Sequence, residues 1–255
     1  MSLRKWTYLQ GTNIVVFIIT VAVNSLAGST TLLNGKTSGE ISDLYTTLIT
    51  PAGYTFSIWS IIYTLLLIFA AYQALPRNRE KSFLHQVGFL FALSGVMNVL
   101  WLFLWHYDLL SLSIVLMFAL LATLMAIYLR LDIGRADVNL VERICVHLPF
   151  SVYLGWITVA SIANVAVALT AIGWDGGGID HLTWAVLVIV VALLITLTVI
   201  ATRKDAAYGL VIVWALAGIM VKQIENQTIV LTTQVSITIA LVAIVAMVVV
   251  SKLKR

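Results

Sequence analysis

The chain has 255 residues, 61% of them hydrophobic and only 10% charged, with a formal net charge of +4. Soluble domains carry roughly 25% charged residues, so this sequence cannot clothe a water-facing surface. It reads as a polytopic membrane protein whose partner is the lipid bilayer, not nucleic acid, and its single cysteine, Cys145, excludes an internal disulfide.

Arg4 and Lys5 precede an apolar run over 13–33. A secretory signal would share that charge pattern, but the run is long enough to span and lacks a small-residue cleavage motif before a polar region. It therefore predicts a first transmembrane helix. Further apolar runs fall at 54–75, 83–105, 109–131, 147–172, 182–202, 206–221 and 228–250. These runs suit a hydrocarbon core about 30 Å thick, and together they predict an all-α transmembrane bundle of eight helices. The seventh run is the shortest, and a re-entrant seventh segment would reduce the count to seven.

Charge tests that count. With eight spans, all of the 15 lysines and arginines except Lys36 and Lys222 fall on one side of the membrane. The positive-inside rule makes that side cytoplasmic and places both termini there. With seven spans, Lys252, Lys254 and Arg255 would cross to the other side, so charge favours eight.

The connection over 34–50 is the longest on the outside face. Within it Ile41, Leu44, Tyr45, Leu48 and Ile49 recur at helical spacing opposite Glu40, Ser42 and Asp43. That pattern predicts a short amphipathic helix lying over the bundle; a plain connector is the alternative. Over 173–180 consecutive glycines break any helix and predict a turn.

The stretch 45–63 runs from the long loop into the second span. Tyr45, Pro51 and Tyr54 frame a candidate pocket mouth, and Pro51 suits a helix start, where its missing N–H costs nothing. Phe56, Trp59 and Tyr63 follow at i, i+3 and i+7, so their rings share one helix face. Asn98, Trp101 and Trp105 repeat this spacing in the third span, and Trp156, Ala160 and Asn164 follow i, i+4, i+8 in the fifth. An unpaired amide is expensive in hydrocarbon, so Asn98 and Asn164 are expected to face the interior. Tryptophan adds a flat surface and one donor, suited to stacking on a planar guest. The plainer alternatives are asparagines that join helices at roughly 0.6 kcal/mol per bond and tryptophans in interfacial belts. Trp105, Trp174 and Trp184 lie at predicted interfaces and read as belt residues.

These residues, in this order, resemble the TspO/translocator protein family, the tryptophan-rich sensory proteins. The resemblance rests on Tyr45-x-x-Leu-x-x-Pro51, Phe56-x-x-Trp59-x-x-x-Tyr63, Asn98-x-x-Trp101 and Tyr153-x-x-Trp156 with Asn164. It covers the first five spans and implies a TspO-like five-helix unit over 1–175, with a three-helix segment over 176–255 appended. It further implies a pocket under the first loop that binds a planar hydrophobic ligand, porphyrin- or haem-like, or sterol-like in some members. Trp59, Asn98, Trp101 and Trp156 would line it, with Pro51 shaping the mouth and Asn164 in the fifth-span motif. Two departures stand out: the mouth has a single proline, and three spans have no counterpart in short members. Those extra spans would cover the family's dimerisation surface, so the oligomeric state stays open.

No motif points to catalysis. His85, His106, Asp108, His147, Lys222 and Glu225 all fall near span ends, and no metal-ligand spacing, phosphate loop or nucleophile elbow occurs. Any tetrapyrrole is therefore expected to be held by stacking and apolar contact. The function read from the sequence is ligand binding with a sensory or regulatory consequence. A transporter using the appended helices is the alternative, and an enzyme acting on a bound tetrapyrrole comes third. The run Leu124-x-x-x-Tyr128-x-Arg130 matches a weak sterol-type pattern, but a Tyr–Arg pair at a helix end reads as an interface anchor.

Overall fold

The computed structural model describes residues 3–253. Its helices are α1 (Leu3–Ser29), α2 (Ser38–Leu44), α3 (Ile58–Ala74), α4 (Ser82–Val87), α5 (Leu90–His106), α6 (Leu110–Arg130), α7 (Leu140–Glu142), α8 (Leu148–Ala171), α9 (His181–Arg203), α10 (Ala206–Lys222) and α11 (Gln227–Leu253). A 3-10 turn (Gly53–Ser57) leads into α3, and a π-turn (Arg143–His147) leads into α8. Among the described residues there is no strand. Among the described residues six helical segments are long and apolar enough to cross a membrane, and α5 and α10 are shorter apolar helices. The predicted eight-helix bundle is therefore present.

The short α10 settles the count geometrically. Its start is capped by Asp205, whose Oδ2 accepts hydrogen bonds from Tyr128 of α6 and Ser151 of α8 at the basic end of the bundle. Its last residue, Lys222, bonds Asp43 of the long loop at the opposite end, 2.9 Å away. At 1.5 Å per residue, 17 residues cover about 26 Å, and the helix runs the length of the bundle.

One span is not continuous. The run over 83–105 breaks at Gly88, whose φ of +52° ends α4 before α5 begins. Asn13 of α1 donates to the freed Gly88 carbonyl at 3.3 Å, so the break is satisfied inside the bundle, as hydrocarbon requires. The same Asn13 donates to Gln73 of α3, and Gln10 and Gln73 exchange side chain-to-backbone bonds. These amides tie α1, α3 and the α4–α5 break together near the basic end.

The helix α8 is the axis. In the segment Leu140–Ala171, 61% of the apolar stretch is buried, against 22% for α1 and α11 on the periphery. It packs on α3, α6 and α10, while α9 and α11 lean on α10 from outside. Leu124 and Tyr128 of the sterol-type pattern are buried inside this packing, with the Tyr128 hydroxyl spent on Asp205, so they offer a lipid nothing to hold.

Two aspartates cap helix starts here, Asp205 inside the bundle and Asp180 on its surface at α9. Asp205→Ala would leave the Tyr128 and Ser151 hydroxyls and the Tyr208 N–H without their acceptor. Unpaired buried groups cost about 1–3 kcal/mol each. A large fall in melting temperature is therefore expected for Asp205→Ala and a smaller one for Asp180→Ala. Equal shifts in a thermal-unfolding assay would contradict the junction.

Candidate ligand-binding cavity

A cavity of about 450 Å³ lies at the loop end, bounded by α1, α2, α3, α5, α8 and the 3-10 turn. Pro51 and the turn aim α3 so that Phe56, Trp59 and Tyr63 reach it together. Trp59 stacks on Tyr63 with ring centroids 5.4 Å apart, and meets Trp156 of α8 nearly at right angles at 6.2 Å. Phe56 meets Trp156 edge to face at 5.9 Å. From α5, Trp101 stacks on Trp105 at 5.8 Å. Offset and edge-on pairs are the favoured aromatic geometries, so three helices share one aromatic wall.

Polar bonds fix that wall. Trp101 Nε1 donates to Asn164 Oδ1 at 2.9 Å, and Asn164 Nδ2 donates to Ser113 Oγ of α6 at 2.9 Å. Asn98 is fully buried behind the wall. It accepts from Asn24 of α1 at 2.6 Å and donates to the Tyr153 hydroxyl at 3.2 Å. Of five buried side-chain groups with no hydrogen-bond partner among the described residues, two belong to this wall: the Tyr63 hydroxyl and Trp156 Nε1. Both residues line the cavity.

Of the residues singled out from the sequence, Pro51, Phe56, Trp59, Tyr63, Trp101, Trp156 and Asn164 come together around the cavity. Three lie outside its lining. Asn98 is a strut between α1 and α8, Tyr54 packs on Trp214 of α10 with centroids 5.5 Å apart, and Tyr45 closes the end of α2. Sequence reasoning missed Asn24 and Ser42, and took Trp105 for a belt residue. Asn24 carried a legible signal, being an amide inside an apolar span. Trp105 did not, because its neighbour His106 sits at a span end. In the fold the loop covers that end: Trp105 Nε1 donates to Ser38 O at 3.4 Å, and Asn34 donates to His106 O at 2.7 Å.

Among the described residues, no aspartate, glutamate, lysine, arginine or histidine lines the cavity. His106 lies beside it, but Nδ1 is 2.9 Å from Leu102 O and Nε2 is 3.4 Å from Ser38 Oγ. Both ring nitrogens are engaged. No group of three metal-binding side chains occurs among the described residues.

Beyond the aromatic wall, toward the basic end, the bundle is filled. Phe69, Phe91 and Phe150 meet edge to face with centroids 4.8 to 6.0 Å apart, and Phe83 packs on Phe69. All four rings are buried.

The roof is α2 and the strap that follows it. The predicted amphipathic helix is present but short, and its buried residues are Ile41 and Ser42, while Leu44 is exposed. Thr37 and Glu40 form a reciprocal capping box at its start. The strap is held from α10: Ala52 N–H donates to Gly218 O at 3.0 Å, Trp214 Nε1 to Thr55 O at 2.9 Å, and Gln223 Nε2 to Thr47 O at 3.3 Å. At Gly218 a Cβ would stand 2.0 Å from Thr55 Oγ1. Only glycine allows this approach.

Two outcomes are expected for the roof. Gly218→Leu should displace the 3-10 turn and raise hydrogen exchange over 46–57, with the other spans unaffected; unchanged exchange would disprove the clamp. The Thr37 N–H and hydroxyl hold the Glu40 carboxyl below its ordinary value. Its capping contribution is therefore complete above the usual glutamate range and is lost as pH falls through the lowered value. Exchange protection over 37–44 should drop on acidification in the parent and stay flat in Glu40→Gln, which keeps the capping geometry without the charge.

A family model described as TSPO-like protein matches residues 10–250, so the match runs through α9 and α10 and most of α11. No curated protein and no solved structure matches the chain.

Proposed function

As the chain belongs to the TSPO-like protein family, we propose that it is a membrane receptor for a planar, uncharged, hydrophobic ligand bearing a hydrogen-bond acceptor. The observation that carries this reading is the pairing of an aromatic wall with two buried donors, Tyr63 O–H and Trp156 Nε1–H, that no described residue satisfies. Unsatisfied buried donors cost about 1–3 kcal/mol each, and a small turn of either ring toward the cavity that it lines would bring its donor to a ligand carbonyl or ester. The volume of about 450 Å³ lies within the range of small-molecule sites, roughly 300–1,000 Å³.

The residues fit a tetrapyrrole ring or a sterol skeleton by its apolar faces, and they do not fit iron-ligated haem. No cationic side chain among the described lining residues is placed to meet ring carboxylates, and the imidazole of His106 is already bonded at both nitrogens. Carboxylates of a porphyrin would have to stay at the mouth, beside the hydroxyls of Thr37 and Ser38. The phenylalanine floor supports binding with a sensory or regulatory outcome over a transporter, since it fills the route toward the basic end. With the basic end in the cytoplasm, the cavity opens to the outer side and both termini are cytoplasmic.

Titrating protoporphyrin IX dimethyl ester against tryptophan fluorescence tests the reading, with the free diacid as comparison. Saturable quenching is expected, with the ester binding at least as tightly as the diacid. Tyr63→Phe and Trp156→Phe should each weaken it about two- to tenfold, the worth of one ordinary hydrogen bond. Quenching unchanged in those variants and in Trp59→Ala, or tighter binding of the diacid, would sink the proposal.

A further inference from the structure

A second cavity, of about 790 Å³, lies at the same end of the bundle but on the opposite face of α8. The first cavity takes Val159, Ala160, Ala163 and Val167; the second takes Ile162, Val165, Ala166 and Leu169. Its other walls are Ala185 and Val188 of α9 and the strap over 46–49. From Thr170 to Ile162 the slot descends about 12 Å along α8, so its deep end approaches the bilayer centre. Among the described lining residues, the polar groups gather at the shallow end: Thr46, Thr47, Thr170, His181, Lys222 and Gln223. Trp174 and Trp184 pack together there, 5.3 Å apart, with Trp184 Nε1 bonded to Gly176 O. A tryptophan pair marks headgroup depth. Among the described lining residues, Lys222 is the one charged side chain and no carboxylate is present. Its ammonium spends one of its three donors on Asp43.

We propose that this cavity is an amphiphile site, taking an anionic head, carboxylate or phosphate, at Lys222 and His181, and an acyl chain between α8 and α9. The gradient from polar rim to apolar depth runs parallel to that of a bilayer lipid, which excludes a compact water-soluble solute. The space exists because Ala166 and Ala185 are small, and a larger side chain at either would occupy it. The site depends on α9 and α10 and is independent of what the first cavity binds.

Photo-crosslinking in nanodiscs tests it with three diazirine-bearing probes: a fatty acid, a phosphatidylglycerol and a phosphatidylcholine. Labels from an anionic probe should concentrate over 162–170 and 181–188, and whichever of the two labels more strongly identifies the source of the head. Ala185→Phe should cut that labelling at least fivefold. Lys222→Gln, a change at the exposed rim, should reduce labelling by the anionic probes and spare phosphatidylcholine. If Ala185→Phe does not fold, Val188→Phe at the partly exposed deep end replaces it. Labelling spread evenly over the outward faces of α1, α6 and α11, or unchanged in the filling variant, would overturn the site. Equal labelling by phosphatidylcholine, or indifference to Lys222→Gln, would overturn the anionic head.

Discussion

Three polar junctions at different heights hold α8 in place, and the rest of the bundle is arranged around them. Asn98 links Asn24 of α1 to Tyr153 of α8; Asn164 of α8 links Trp101 of α5 to Ser113 of α6; Asp205 draws Tyr128 of α6 and Ser151 of α8 to the start of α10. In hydrocarbon such groups must be paired within the protein. Apolar packing between transmembrane helices is barely distinguished from packing against lipid tails. The polar junctions therefore supply the selectivity that fixes which helix neighbours which, and they aim the aromatic rings of α3, α5 and α8 at one space.

The roof shows how the later helices contribute to the first cavity. The strap between α2 and α3 is regular only in its 3-10 turn; its Thr47 and Thr55 carbonyls accept locally from the Thr50 and Ile58 N–H groups and take a second bond from the later helices. Ala52 N–H is satisfied by Gly218, and the second bonds to the Thr55 and Thr47 carbonyls come from Trp214 and Gln223, all on α10 or directly after it. The mouth of one cavity is thus built from both ends of the chain. One strap faces two cavities, with Pro51 and Gly53 toward the first and Thr46 to Ile49 toward the second.

Much of this was legible in the residues. Apolar length located the spans, and the distribution of lysine and arginine decided for α10 as a crossing helix. The i, i+3, i+7 spacing of aromatic residues found most of the cavity wall. Partnership was not legible. Asn98 was correctly expected inside, yet helical spacing cannot distinguish a group that lines a space from one that braces its wall. Gly88 in an apolar run reads equally as packing or as a break, and the deciding partner, Asn13, lies 75 residues away. Ser42 looked like a solvent-facing residue because an amphipathic pattern assumes an oily underside, whereas α2 lies over a cavity mouth lined with hydroxyls. A boundary at 175 follows the extent of the resemblance.

The unpaired Tyr63 hydroxyl and Trp156 indole bear on more than affinity. On the proposed reading, a guest that satisfies these donors makes the stability of the bundle depend on what it holds. A molecule that pairs with them in the folded state shifts the folding equilibrium in proportion to the logarithm of its concentration. Membrane proteins near their stability threshold are removed by quality control, so a shift of 1–2 kcal/mol changes abundance about several-fold. On the proposed reading, the signal need not pass through a moving helix. It can be carried by how many copies survive, with the supply of the molecule setting the lifetime of its receptor.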